Sequence, residues 1–224
     1  MAFDQQRYSR LIASAAFNAE FFRGTIQDQS SRGLAMTFAG APTWTRVNGK
    51  PAISQAGSSA NYVLSTAAVA SLVDLTGTFS LELLFCASAI ERDRPIQQID
   101  GTNTGIIAQR ESASTSYVYL YSGGAVVRSI GTPAGATAAS LIHHLVFTSV
   151  AGGTSGYVWH RGIPLAAALS GAGAAANPAA SVVRLGLGAS RLGRTLVVRL
   201  WQQAFGNPDA NCLAEAAREM VGGW

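Results

Sequence analysis

Three histidines, a stripe of tyrosines and a thin scatter of carboxylates carry most of the chemistry available to this 224-residue chain. His143 and His144 are neighbours. Adjacent strand residues point to opposite faces, so the two do not converge on one metal ion or one proton. His160 lies in the next strand-like segment and could meet one of them, for metal or acid–base work or as an ordinary cross-strand histidine. In Tyr117-Val118-Tyr119-Leu120-Tyr121, alternation places Tyr117, Tyr119 and Tyr121 on one face. Such a stripe can stack on sugars or anchor a partner, because Tyr joins an apolar ring to a polar tip; it can equally line a core. Trp159 and Trp201 carry the same two readings. Among the carboxylates, Glu82 stands alone in its strand pattern, Glu91 and Asp93 fall in a charged turn, and Glu215 and Glu219 follow a helical pattern. No Gly-x-Ser-x-Gly elbow presents a serine nucleophile. Cys86 and Cys212 read as small buried hydrophobes; a single disulfide stays open, and no zinc-type spacing occurs.

The elements that must position these groups are short strands punctuated by Gly, Pro, Ser and Asn from about residue 34 onward. FSLELLF (79–85) alternates Phe79, Leu81, Leu83 and Phe85 with Ser80 and Glu82, the period of a half-buried strand. YVYLYS (117–122) and AVVRSI (125–130) flank Gly123-Gly124, a two-residue hairpin turn. LIHHLVFTSV (141–150) and GYVWHRGIPL (156–165) form a second pair, and VVRLGLG (182–188) with LVVRLWQQAF (196–205) a third. Near the C-terminus a helix is expected, with Asn207 as cap, Pro208 in its first turn, Cys212, Leu213, Ala216, Ala217 and Met220 on one face, and Gly222-Gly223 at its end. A second short helix is expected at 9–21, and loops at 131–140 and 171–180. Many short strands with one or two helices predict an all-β antiparallel sandwich.

Composition narrows the function classes. Charged residues are 12% of the chain, against about 25% in ordinary soluble domains. That suits a surface partly covered by neighbours, or a biased genome, as fifteen Arg to one Lys also suggests. The net charge of +4 comes from singly scattered arginines without a basic run, which speaks against nucleic acid. The apolar run LIASAAF after Arg7 and Arg10 is short for a secretion signal and lacks a leucine-rich centre, so none is expected. No stretch approaches the ~20 apolar residues of a membrane span.

At LIHHLVFTSVAGGTSGYVWHRGIP the chain resembles the central hairpin of laminin-G-like, concanavalin A-like domains, matching at His143, His144, Leu145, Phe147, Thr148 and Gly162. Arg161 stands where that hairpin usually has Asn or Asp. VVRLGLG and VRLWQQAFGNPDANCLAEAA resemble the later strands and short helix, without the acidic pair before the final strand; Leu196 and Val197 occupy its place. Upstream, Asp28, Ser30, Ser31 and Gly33 resemble a D-S-S-G turn, and Trp44, Gly49, Ala52, Gly57 and Tyr62 the approach to the first long strand. The leader, Tyr8 to Ile12 and then Glu20-Phe21-Phe22-Arg23, is similar to leaders on laminin-G-like proteins of bacteriophages.

The resemblance implies a jelly roll over 25–224 as one domain, with residues 1–24 as an arm packed on it. It implies a non-enzymatic binding or assembly module: a bacteriophage virion protein (capsid decoration or tail-associated adhesion) bound to itself or to other virion proteins. The alternative is a carbohydrate-binding module of a bacterial surface. Glycosidases of this fold use paired carboxylates, often E-x-D-x-x-E on one strand, a pattern missing here. Calcium is the usual cofactor of the ligand-binding branch, and Asp100, Asn103 and Glu111 flank a loop that could supply oxygens to it or simply be a solvated turn. The glycan platform would draw on Tyr117, Tyr119, Tyr121 and Trp159.

Overall fold

The computed structural model describes residues 3–54, 62–86, 94–111, 115–138, 141–187 and 194–224. Helix α1 (Gln5–Ala13) precedes β1 (Phe17–Glu20) and a 3-10 turn (Phe21–Arg23). Four short strands follow: β2 (Met36–Ala39), β3 (Thr43–Val47), β4 (Lys50–Ser54) and β5 (Tyr62–Ser65). Next come β6 (Phe79–Cys86), β7 (Arg94–Ile99), β8 (Gly105–Arg110), β9 (Ser116–Ser122) and β10 (Ala125–Gly131). The chain continues through β11 (Ile142–Val150), β12 (Ser155–His160), β13 (Ile163–Leu165), β14 (Ala168–Ser170), β15 (Val183–Leu187) and β16 (Arg194–Trp201), and closes with α2 (Asn207–Val221).

The strands form two eight-stranded antiparallel sheets. The first runs β13-β12-β11-β6-β16-β4-β3, and the second β14-β10-β9-β8-β7-β15-β5-β2. One edge of β16 is shared: Arg194 and Thr195 pair with β4, and Val197 to Leu200 with β1. The fold is an antiparallel β-sandwich of the jelly-roll class, with a short helix near each end of the chain. Its core lies between the sheets. Phe79, Leu81, Leu83, Phe85, Leu145, Phe147, Val198 and Leu200 come from the first sheet, and Ile96, Ile106, Val118, Leu120, Ile130 and Leu185 from the second, all buried.

Two hairpins form where the sequence places them. Gly123 and Gly124 have φ of 57° and 88°, the paired left-handed turn that glycine adopts without a Cβ clash, and Ser122 pairs with Ala125. β11 and β12 pair from Leu145↔His160 to Val150↔Ser155. The Asp28 turn also forms: its carboxylate accepts the Asn18, Ser30 and Leu34 N–H groups at 2.9–3.1 Å.

Four expectations change. The segments 182–188 and 196–205 do not pair: β15 sits between β7 and β5, and β16 between β6 and β4 in the other sheet. Strand β6 is buried on both faces rather than one, because a layer including α1 and α2 covers the outside of the first sheet, packing on Leu84, Val146, Val197 and Trp201. The N-terminal helix begins earlier, at Gln5, since Asp4 accepts the Arg7 N–H at 2.9 Å; residues 17–20 are strand instead. Finally, the α2 cap is Gly206, whose N–H donates to Asp209 Oδ2 at 3.1 Å, while Asn207 accepts the Trp159 indole N–H at 2.8 Å.

Candidate binding face

Alternation along β9 sends Val118 and Leu120 into the core and leaves Tyr117, Tyr119 and Tyr121 half-buried on the outer face of the second sheet. Tyr117 and Tyr119 stack at 5.4 Å between ring centres and 20° between planes, and Tyr121 meets Tyr119 edge-on at 6.3 Å. Opposite Tyr117 stands Gly131, where a Cβ would come within 2.2 Å of the ring, so the glycine is what lets this ring lie down on the sheet.

Ser129, Tyr119, Ile107, Gln97 and Arg184 form one cross-strand row from β10 to β15. At ~4.8 Å per strand the row runs about 19 Å. A hydrogen-bonded polar chain crosses it: Arg94 Nε donates to Gln109 Oε1 at 2.6 Å, the Gln109 amide donates to Glu111, and the Tyr119 hydroxyl donates to Glu111 Oε2 at 3.1 Å. Burial, and then the Glu111 carboxylate, push the Tyr119 phenol well above its usual pKa, so it is a neutral donor across the biological range. Arg184 lies 5.8 Å from the Tyr62 ring at the far side of the face. Rings, amides, a carboxylate and two guanidiniums thus share one surface, which can stack on an apolar ring face and exchange hydrogen bonds with hydroxyls.

Trp159 is not on this face. It sits in the other sheet, 3% exposed, because the start of α2 packs over this end of β12. Trp201 is likewise fully buried, its N–H donating to the Leu11 carbonyl at 2.7 Å. Both tryptophans are core.

The three candidate calcium residues do not converge. Asp100 organises the β7–β8 turn: Oδ1 accepts the N–H groups of Thr102 and Thr104 and the Thr102 hydroxyl, and Oδ2 accepts the Ala179 N–H. These bonds hold its pKa down to about 2. Asn103 takes the left-handed position of the same turn, with φ 56°. Glu111 is at the opposite end of β8, about 20 Å away at ~3.3 Å per residue, where it serves the tyrosine face. Among the described residues, no group of three or more His, Cys, Asp or Glu could hold a metal ion.

His143 and His160 do meet, Nδ1 to Nε2 at 3.1 Å, on the inner face at the end of the sandwich. His143 Nε2 lies 2.6 Å from the Ala138 carbonyl and so carries the proton there, leaving Nδ1 to accept from His160. His144 faces the other way, within 3.0 Å of Glu82 Oε1. Cys86 and Cys212 are not joined to each other by a disulfide.

Glu82 is not isolated. Arg199, fully buried, bridges Glu82 Oε2 at 2.7 Å and Glu20 Oε1 at 2.6 Å, and also donates to Asn18 Oδ1 and the Tyr8 hydroxyl. Burial alone would raise both carboxyl pKa values; the guanidinium, with hydrogen bonds, more than offsets this and lowers them. Each glutamate is 1% exposed, so neither can reach a substrate as acid or nucleophile. Sequence spacing did not reveal this cluster, since Glu20, Glu82 and Arg199 come from β1, β6 and β16. The one trace was parity: Glu82 breaks an apolar strand on its non-core side.

No family model and no curated protein matches the sequence. Solved structures do. The binding domain of Paraclostridial Mosquitocidal Protein 1 superposes with a TM-score of 0.74 at 10% identity, over 92% of this chain and 53% of that one. The receptor binding domain of a botulinum neurotoxin C/D mosaic serotype gives 0.70 at 10% identity, over 92% and 52%. The botulinum neurotoxin serotype D ligand binding domain in complex with N-acetylneuraminic acid gives 0.70 at 9% identity, over 94% and 52%. The chain spans about half the length of these structures, and at such identities the likeness establishes the sandwich fold.

Proposed function

We propose that the chain is a non-enzymatic binding module that holds a glycan on the tyrosine face of its second sheet, centred on Tyr119. The observation that carries this reading is the stacked Tyr117–Tyr119 pair set beside the Arg94–Gln109–Glu111 chain. Sugar rings present C–H faces that pack on aromatic rings and hydroxyls that pair with amides, carboxylates and guanidiniums. The fold it shares with toxin binding domains, one of them in complex with N-acetylneuraminic acid, supports a binding role. Because Asp100 already spends Oδ1 on its own turn and Oδ2 on the Ala179 N–H, binding is expected to be independent of calcium. The test is a glycan panel probed with and without chelator. Tyr119→Ala is expected to weaken binding by tenfold or more, about 1.4 kcal/mol or above, through loss of both the ring stack and the buried ring area.

A second reading, a bacteriophage virion protein that decorates a capsid or serves tail-associated adhesion, is favoured by a different observation. Tyr157, Ile163 and Leu169 lie exposed at one side of the sandwich, on β12 and the edge strands β13 and β14, in a chain with only 12% charged residues. Such a side can meet a second copy or another virion protein. Copies per particle, counted by mass spectrometry of purified virions, test it. Among the described residues, no helix is long and apolar enough to cross a membrane.

A further inference from the structure

On the opposite side of the molecule, α2 and the β12–β13 turn enclose a cleft of about 270 Å³ lined by Arg161, Gly162, Asn211, Glu215, Arg218 and Trp224. Its shape depends on the turn. Gly162 has φ 80°, a left-handed position that favours glycine, and a Cβ there would come 3.2 Å from Ala214 Cβ and 2.9 Å from Oδ1 of the flexible Asn211 side chain, so glycine lets the turn sit close to the helix. Arg161 precedes it at φ 52°, a left-handed position where Asn, Asp or Gly rests at lower cost and a long side chain is strained by about 1 kcal/mol.

That unfavourable choice puts a guanidinium in the cleft wall. Arg161 Nη2 donates to the Ile142 carbonyl at 2.6 Å, and the guanidinium lies 5.5 Å from the centre of the Trp224 ring. Its Nε is buried without a hydrogen-bond partner. What lines the cleft is a guanidinium with a net charge and one hydrogen bond to protein, on the Ile142 carbonyl, and an anion supplies both countercharge and acceptor. Arg218 adds a second positive charge, and Asn211 and Glu215 supply an amide and a carboxylate that suit hydroxyl groups. Glu215 also disfavours a bare anion that brings no hydroxyl to it.

We propose that this cleft binds a single sugar acid, its carboxylate on Arg161 and Arg218 and its hydroxyls toward Asn211 and Glu215. The site is independent of the tyrosine face, which lies on the outside of the other sheet. The cleft's volume admits one small ring rather than a chain, near the lower end for ligand pockets.

Titration with glucuronate, glucose, acetate and sulfate, read by ligand-observed NMR and by tryptophan fluorescence, tests it. Glucuronate is expected to bind in the millimolar range, with glucose, acetate and sulfate each at least tenfold weaker. Arg161→Asn suits the turn's left-handed backbone and is expected to fold; it and Arg218→Gln, on the exposed side of α2, should each weaken glucuronate tenfold or more. Repeating the titration in Tyr119→Ala separates this cleft from the tyrosine face. Equal affinity for glucose, equal affinity for acetate or sulfate, glucuronate binding unchanged in both arginine variants, or no glucuronate binding at all would each overturn the proposal.

Discussion

Between them, His143 and His160 share a single bridging proton at the end of the sandwich, and each is kept neutral by burial. Burial first, then the facing His143 ring and Arg161, hold His160 down to about 4 from an ordinary 6.5. In that window the unfolded chain binds a proton that the folded chain refuses, so stability falls as pH drops from about 6.5 to about 4. Thermal melts across pH are expected to show this slope, and His160→Gln, which cannot charge, should flatten it. Glu20 and Glu82 act further down. Their folded pKa values are lowered, so the stability they share with Arg199 is complete above the ordinary carboxylate value of 4.5 and is lost as pH falls through the depressed values. Which of these residues mattered was only partly readable beforehand. The meeting of His160 with one of the histidine pair followed from strand alternation. The tyrosines' shared face followed from the same rule, but not the role of Glu111, which depends on which residues β8 sets beside β9.

Elements explain both what alternation reveals and what it hides. Period-two patterning says which side chains share a face, and the Gly123-Gly124 turn fixes one register, so β9 and β10 were legible. It does not say which sheet a strand joins, so β15 and β16, close in sequence, read as partners yet lie in opposite sheets across the core. Nor does it say what lies over a face. On an isolated strand Trp159 reads as core or as platform, and the packing of α2 across it makes it core. Two variants probe element packing. Gly131→Ala drives a methyl into the Tyr117 ring and should lower stability by about 1–3 kcal/mol, with weaker glycan binding because the stacked pair is displaced. Arg199→Met leaves buried Glu82 with only His144 and buried Glu20 with only the exposed Arg23 as partners, and should cost about 3–5 kcal/mol in chemical denaturation. Adding Glu20→Gln and Glu82→Gln to that variant should recover much of the loss, since no uncompensated charge then remains.

At the scale of the whole molecule, the two outer faces of the sandwich are covered unequally. The first sheet lies under α1 and α2, while the second presents its tyrosine face outward. We propose that residues 1–24 act as an arm to the domain of 25–224, held by Arg199 reaching Tyr8, Asn18 and Glu20, and by Leu11 over Trp201. Removing residues 1–24 is then expected to lower the melting temperature and expose Trp201 to quenchers, without abolishing the sheet signal in circular dichroism.

The central claim, a glycan held on the tyrosine face, is tested most directly by measuring equilibrium binding of the folded protein to a broad glycan panel, side by side with Tyr119→Ala. The account predicts at least one glycan bound by the parent chain, unaffected by chelator, and bound at least tenfold more weakly by the variant. A panel blank for the parent chain, or a glycan bound equally by both proteins, would contradict it.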